Sequence, residues 1–181
     1  MIKILITGAT GNVGTQLVKL LIAAKANLRV LLQKPNAEAE MNFRDNNVEV
    51  AYGTFDDQAS LTKAMTGIEK VFLLLPSHPN MVAYANNAIE AAKAAGVKHI
   101  VKQSVLGADK NAGVDIPRFH GVTDEALKNS GIKYTILQPN SFLQNFIGFA
   151  SIIKDHGRFY ANYADGKFST VDVRDIAAAG S

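Results

Sequence analysis

The 181-residue sequence contains no cysteine. Disulfide staples, thiol nucleophiles and cysteine-ligated zinc are therefore excluded, and the chain suits a reducing, cytoplasmic setting. It also lacks a long apolar run. The longest, Val71–Leu75, falls far below the roughly 20 residues of a membrane-spanning helix, so no membrane partner is expected. Met1–Ile6 is too short for a signal peptide and passes straight into Thr7-Gly8. The formal charge is +3, but Lys and Arg are scattered. With no basic cluster and no aromatic–basic platform, nucleic acid is not an expected partner. Repeats, low-complexity tracts and linkers are missing too, and 48% hydrophobic with 19% charged residues is ordinary globular composition. One domain over residues 1–181 follows.

What is present is alternation. Ile2–Thr7 is continuous, apolar and β-branched, as in a buried strand. Asn12–Lys25 follows with Val13, Leu17, Leu20 and Leu21 on one helical face. Strands are predicted at Leu28–Leu32, Val48–Ala51, Lys70–Leu75, His99–Val105 and Tyr134–Leu137, with one more over Lys167–Val171. Helices are predicted at Ser60–Met65, Met81–Ala95 and Arg118–Asn129, the last two closed by Gly96 and Gly131. Asp175–Ala179 reads as the start of another. Strand and helix in turn, with short links, predict an α/β fold: a doubly wound parallel sheet of Rossmann type in three layers.

The strongest local signal is Thr7-Gly8-Ala9-Thr10-Gly11-Asn12-Val13-Gly14, between the first strand and the first helix. Gly8 permits a tight turn, Gly11 lets backbone N–H groups approach a pyrophosphate, and Gly14 lets the helix pack closely. The helix start adds free N–H groups and the positive dipole end. Gly8, Thr10, Gly11, Asn12, Val13 and Gly14 are therefore candidate dinucleotide-binding residues. The spacing is not the strict G-x-G-x-x-G, and no P-loop Lys-Ser/Thr follows. The second strand ends on Gln33-Lys34-Pro35, with no carboxylate to repel a 2′-phosphate, which favours NADP(H) over NAD(H). Lys34 either pairs with that phosphate or is a solvated loop lysine. After the third strand, Phe55 is placed to flank the adenine. Asp56 either accepts from its amino group or, with Asp57, caps the next helix. Leu75 and Pro76 leave the fourth strand at the edge where open α/β sheets hold ligands. His78 just beyond is either a pocket wall or a loop histidine.

This glycine turn resembles the N-terminal signature of the NmrA-like branch of atypical short-chain dehydrogenases. Ala95-Gly96-Val97-Lys98-His99-Ile100-Val101, Ser130 through Asn140 and Val171-Asp172-Val173-Arg174-Asp175-Ile176-Ala177 resemble its later segments. The resemblance spans nearly the whole chain. It implies a smaller C-terminal part that closes a substrate pocket, which the 181 residues do not include. It also implies one of several activities: quinone and other small-molecule reductases, nucleotide-sugar-epimerase relatives, or regulators that bind the dinucleotide without turnover.

Departures from the pattern bear on mechanism. Ser104, at the end of the fifth strand, either matches the family's catalytic serine or is a polar strand end. His120 falls where the Tyr-x-x-x-Lys motif has its lysine and Ile116 where it has its tyrosine, so that proton shuttle is absent. Its absence argues against alcohol oxidation and epimerisation, and less against reduction of a quinone. His120, ordinarily titrating near neutrality, either serves the nicotinamide ribose or the proton transfer, or is a helix histidine without chemistry. Gln33 and Gln138 stand where the family has arginines. Pro139 is a further candidate cofactor-binding residue; Asn140 and Phe142, just after it, either face the nicotinamide end of the cleft or are loop and core residues. Two functions remain: an NAD(P)H-dependent reductase of a quinone-like or conjugated small molecule, or a dinucleotide-sensing regulator acting through a protein partner.

Overall fold

The computed structural model describes residues 2–159, 166–167 and 169–181. Six strands form one parallel sheet: β1 (Lys3–Ile6), β2 (Asn27–Leu32), β3 (Glu49–Tyr52), β4 (Lys70–Leu73), β5 (His99–Gln103) and β6 (Lys133–Leu137). Their order is β3-β2-β1-β4-β5-β6, the doubly wound arrangement that the alternation predicts. The chain leaves β1 in one direction and returns beside it at β4, so the crevice between those two strands is the topological switch point.

Alternating side chains of each strand feed two cores. Leu5, Leu31, Val71, Leu73 and Ile100 pack on one face. The helices there are α3 (Gln58–Met65), α4 (Met81–Ala94) and α5 (Asp115–Lys128). Ile6, Val30, Leu32 and Phe72 point the other way, onto α1 (Asn12–Ala23) and α7 (Val173–Ala179). Both faces of the central strands are covered, which is why Ile4–Ile6, Val30–Leu32 and Val71–Leu73 read as unbroken apolar runs.

Several elements differ from the sequence expectation. Helix α2 (Ala37–Asp45) occupies a stretch with no predicted element. It buries one residue, Phe43, so its apolar stripe is faint. Its signal is the cap: Asn36 Oδ1 accepts from Ala39 N at 3.1 Å, and Glu40 Oε1 accepts from Asn36 N at 2.8 Å. Helix α5 begins three residues before the expected Arg118. Its cap residue, Val114, has no capping side chain, so only Asp115 and Pro117 in the first turn mark the start. After β6 come β7 (Ser141–Phe142), a 3₁₀ segment (Leu143–Phe149) and α6 (Ala150–His156). The 3₁₀ segment and α6 bury no residue, and their apolar side chains therefore carry no one-sided pattern. Of the strand expected over 167–171, Thr170–Val171 forms β8, paired with β7; Phe168 lies outside the described residues. The terminal helix is present as α7, capped by Asp172, which accepts from Arg174 N at 2.8 Å.

Candidate functional site

The glycine turn sits at the switch point. Thr7, the last residue before it, ties the two diverging strands together. Its Oγ1 donates to Leu74 O at 2.9 Å and accepts from Leu74 N at 2.8 Å. Gly8 then takes φ +65°, a left-handed conformation that side-chain-bearing residues rarely adopt. Gly11 N donates to Gly8 O at 3.0 Å and closes the turn. Gly14 explains the third glycine, with one change from expectation. A Cβ there would lie 2.1 Å from Gly8 O and 2.9 Å from Ala9 Cα. The close approach is thus between α1 and its own preceding turn, not between helix and sheet. Gly11 caps α1 without a side-chain hydrogen bond, and no acidic residue stands in the first turn. The leading N–H groups of α1 therefore face outward with no side-chain acceptor, beside the positive end of the helix dipole. A dinucleotide pyrophosphate fits this cradle, which has backbone donors and no Cβ or carboxylate in the way.

A cleft of about 340 Å³ opens beside the turn, lined by Thr7, Gly8, Thr10, Gln33, Lys34, Phe55 and Pro76 among others. The structure thus brings together the candidate residues from the ends of β1, β2, β3 and β4. Gly11 and Asn12 line an adjoining cleft that runs toward Arg174 on α7. Leu75 is buried in the core, and Leu74 lines the cleft in its place. Thr7, Leu31, Leu32, Pro35 and Asn36 also line it. Their signal in the sequence is only adjacency to the turn and to the β2 end.

Phe55 is buried and stacks on Tyr84, with ring centroids 5.9 Å apart; His78 stacks on the same tyrosine at 5.2 Å. Burial raises the Tyr84 pKa, and the neighbouring Asp56 carboxylate raises it further. Asp57 caps α3 through Ala59 N and Ser60 N. His78 is exposed, and its Nδ1 accepts from Asn80 N at 3.1 Å, which secures the entry to α4.

His120 and Ser104 lie elsewhere, on the α5 side of β5. Ser104 is fully buried, and its Oγ donates to Asp124 Oδ2 at 2.6 Å. The other oxygen of Asp124 accepts from Lys102 Nζ at 2.7 Å. The sequence reading singled out neither Lys102 nor Asp124. The near-neutral titration expected of His120 is corrected here: burial, with the nearby Lys102 charge, lowers its pKa to about 4. Three buried side-chain atoms lack a hydrogen-bond partner among the described residues: His120 Nδ1, Gln103 Oε1 and Asn140 Oδ1. Gln103 ends β5, Asn140 follows Pro139 beyond β6, and His120 is on the helix joining those strands. Buried polar atoms are nearly always paired, so these three atoms are open to water or to a ligand. No group of three or more His, Asp or Glu that could hold a metal occurs among the described residues. No helix among them is long and apolar enough to cross a membrane.

Residues 2–179 match the NmrA-like family. The chain belongs to that family. It is 37% identical over 175 residues to an NAD(P)H azoreductase of Xenophilus azovorans, covering 97% of this chain and 60% of that protein. Over 179 residues it is 32% identical to quinone oxidoreductase 2 of Escherichia coli strain K12, covering 98% of this chain and 62% of the relative. Among solved structures, NADPH-dependent quinone oxidoreductase from Escherichia coli in complex with NADPH superposes with a TM-score of 0.87 at 31% identity, covering 97% of this chain and 62% of that one. The Citrobacter sp. triphenylmethane reductase in complex with NADP(H) gives 0.88 at 26% identity, covering 98% and 64%. This NmrA-like chain thus spans about 60% of the length of the curated relatives it matches.

Proposed function

We propose that this NmrA-like chain binds NADP(H) and forms the cofactor-holding portion of a reductase that acts on quinone-like or otherwise conjugated small molecules. The observation that carries the reading is the turn itself: Gly8 at φ +65°, no room for a Cβ at Gly14 and an uncapped helix start at the switch point. That combination suits two phosphates and little else. The NAD(P)H azoreductase at 37% identity and the quinone oxidoreductase at 32% support the same conclusion.

Each part of the site has a role in this reading. The backbone of Gly8–Val13 holds the pyrophosphate. Phe55 and Pro76 wall the adenine side, and Lys34 with Gln33 meets the 2′-phosphate. The bound cofactor supplies the reducing equivalents; the protein supplies binding, orientation and electrostatics. The reacting end lies toward the orphaned atoms of Gln103, His120 and Asn140. An electron-poor conjugated acceptor needs no Tyr-x-x-x-Lys shuttle, because the anion formed on reduction can be protonated by water. His120 is the polar side chain offered to that end, and Ser104 supports it through Asp124.

The test is calorimetric titration of the chain with NADPH, NADP⁺, NADH and NAD⁺, together with NADPH oxidation against a panel of quinones and azo compounds. Tightest binding of the phosphorylated pair is expected, with binding abolished in Gly11→Asp, which sets a carboxylate against the pyrophosphate. Equal weak binding of all four, or a Gly11→Asp variant that binds as well as wild type, refutes the cofactor reading. Binding without acceptor-dependent oxidation refutes the reductase reading.

A further inference from the structure

The C-terminal half of β5 carries a charge into the interior. Lys102 is 0% exposed, between Ile100 and Ser104 on the same face of the strand. Its Nζ and the Ser104 hydroxyl converge on the two oxygens of Asp124, at 2.7 and 2.6 Å, and Asp124 is 3% exposed. Against apolar residues of similar volume, a buried ion pair is a poor source of stability. Its neighbours in this core are otherwise leucine, isoleucine, alanine and aromatic side chains, so the pair calls for another explanation.

His120 lies four residues before Asp124 on α5 and thus on the same helix face, one turn nearer the C-terminal edge of the sheet. Its Nδ1 is buried without a partner among the described residues. The charges acting on the ring are Lys102 from β5 and Asp124 from α5 itself. The buried face of α4 offers Met81, Tyr84 and a run of alanines, with no carboxylate or amine. The loop before α5 passes against Gly121, but its Asp109 carboxylate is turned to Asn111 N at 2.8 Å. Burial disfavours the imidazolium, Lys102 adds to that effect, and Asp124 opposes it.

We propose that Lys102, anchored in the core by Asp124, is a positioning residue that keeps His120 a neutral imidazole, so that it meets the bound ligand as a hydrogen-bond partner and not as an imidazolium acid. The ion pair places a cation beside the ring and spends its counter-charge on Lys102 and Ser104. The part this plays in turnover rests on the reductase reading; the protonation state of His120 does not.

The experiment is an NMR titration of the four histidines in the whole chain, with His120→Asn identifying the resonance. A wild-type midpoint of about 4 is expected. Lys102→Met should raise it by about one unit or more. That variant leaves Asp124 unpaired, so Lys102→Met/Asp124→Leu is measured beside it and should rise by less, because the Asp124 charge that favours the imidazolium is removed as well. Acceptor-dependent NADPH oxidation should be flat from pH 5 to 8 in wild type and acquire a pH dependence in Lys102→Met at the shifted midpoint. A wild-type midpoint at or above the ordinary value of 6.5 overturns the proposal. So does a double variant that titrates no higher than wild type. Absence of turnover with the expected titration counts against the reductase reading alone.

Discussion

Replacing Gly14 with alanine should separate cofactor binding from folding. The added methyl would lie 2.1 Å from Gly8 O, 2.8 Å from Gly8 C and 2.9 Å from Ala9 Cα. All three are backbone atoms, so no rotamer change can relieve the clash, and Gly8 O must retreat by about 1 Å. Gly11 N bonds that same oxygen, so the whole turn moves. On the folding side two effects oppose each other. Alanine gains about 1 kcal/mol of helix propensity over glycine, while overpacking costs about 1–3 kcal/mol. The net is at most about 2 kcal/mol, or a fall in Tm of no more than about 8 °C for a chain of this size. Binding has no such offset. Misaligning a single N–H to phosphate contact loses about 1.5–3 kcal/mol, which is about 10- to 150-fold in Kd. Gly113→Ala is the control, because a Cβ there meets nothing within 4 Å. Calorimetry with NADPH, alongside thermal melts, reads both quantities. A folded Gly14→Ala variant that binds NADPH within about threefold of wild type would show that the turn does not hold the phosphates.

Lys34→Glu should reverse the preference between NADPH and NADH by about tenfold or more, because a carboxylate replaces the cation lining the cleft; an unchanged ratio of Kd values would reduce Lys34 to a solvated side chain. Asp57→Ala removes the α3 cap and should cost about 1 kcal/mol with cofactor affinity unchanged, as measured by urea unfolding and titration. The folded-state pKa of His120 is depressed from 6.5 to about 4, so its neutral form contributes stability that is present above pH 6.5 and is lost as pH falls toward 4. His120→Asn should flatten the unfolding free energy over that window, and an acid dependence identical to wild type would place the ring in water.

Much of the fold was legible because its determinants are local. Ile4–Ile6, Val30–Leu32 and Val71–Leu73 in β1, β2 and β4 are continuous apolar runs since helices cover both faces of the sheet there. Gly8 and Gly14 announce the turn, since one takes a left-handed φ and the other has no room for a Cβ. What stayed hidden depended on partners far along the chain. Leu74 rather than Leu75 lines the cleft because Thr7, 67 residues away, bonds its backbone and sets which side of β4 faces the crevice. Helix α2 was hidden for the opposite reason: it buries only Phe43, so packing left almost no periodic trace, and Asn36 and Glu40 carried the signal through a cap.

Lys102 and Asp124 show the limit most clearly. In His99-Ile100-Val101-Lys102-Gln103 a lysine reads as the solvent-facing residue of a strand, and in α5 an aspartate reads as part of a polar face. Each position contradicts the burial it actually has, 0% and 3%, and the contradiction is resolved only when the 22-residue separation is closed by the β5–α5 packing. Two polar residues that are individually improbable in a core become tolerable as a pair with a serine completing it. A site whose chemistry is set by such a pair has no motif. It is recognisable only from the geometry that leaves Nδ1 of His120, itself a conspicuous residue, buried without a hydrogen-bond partner among the described residues.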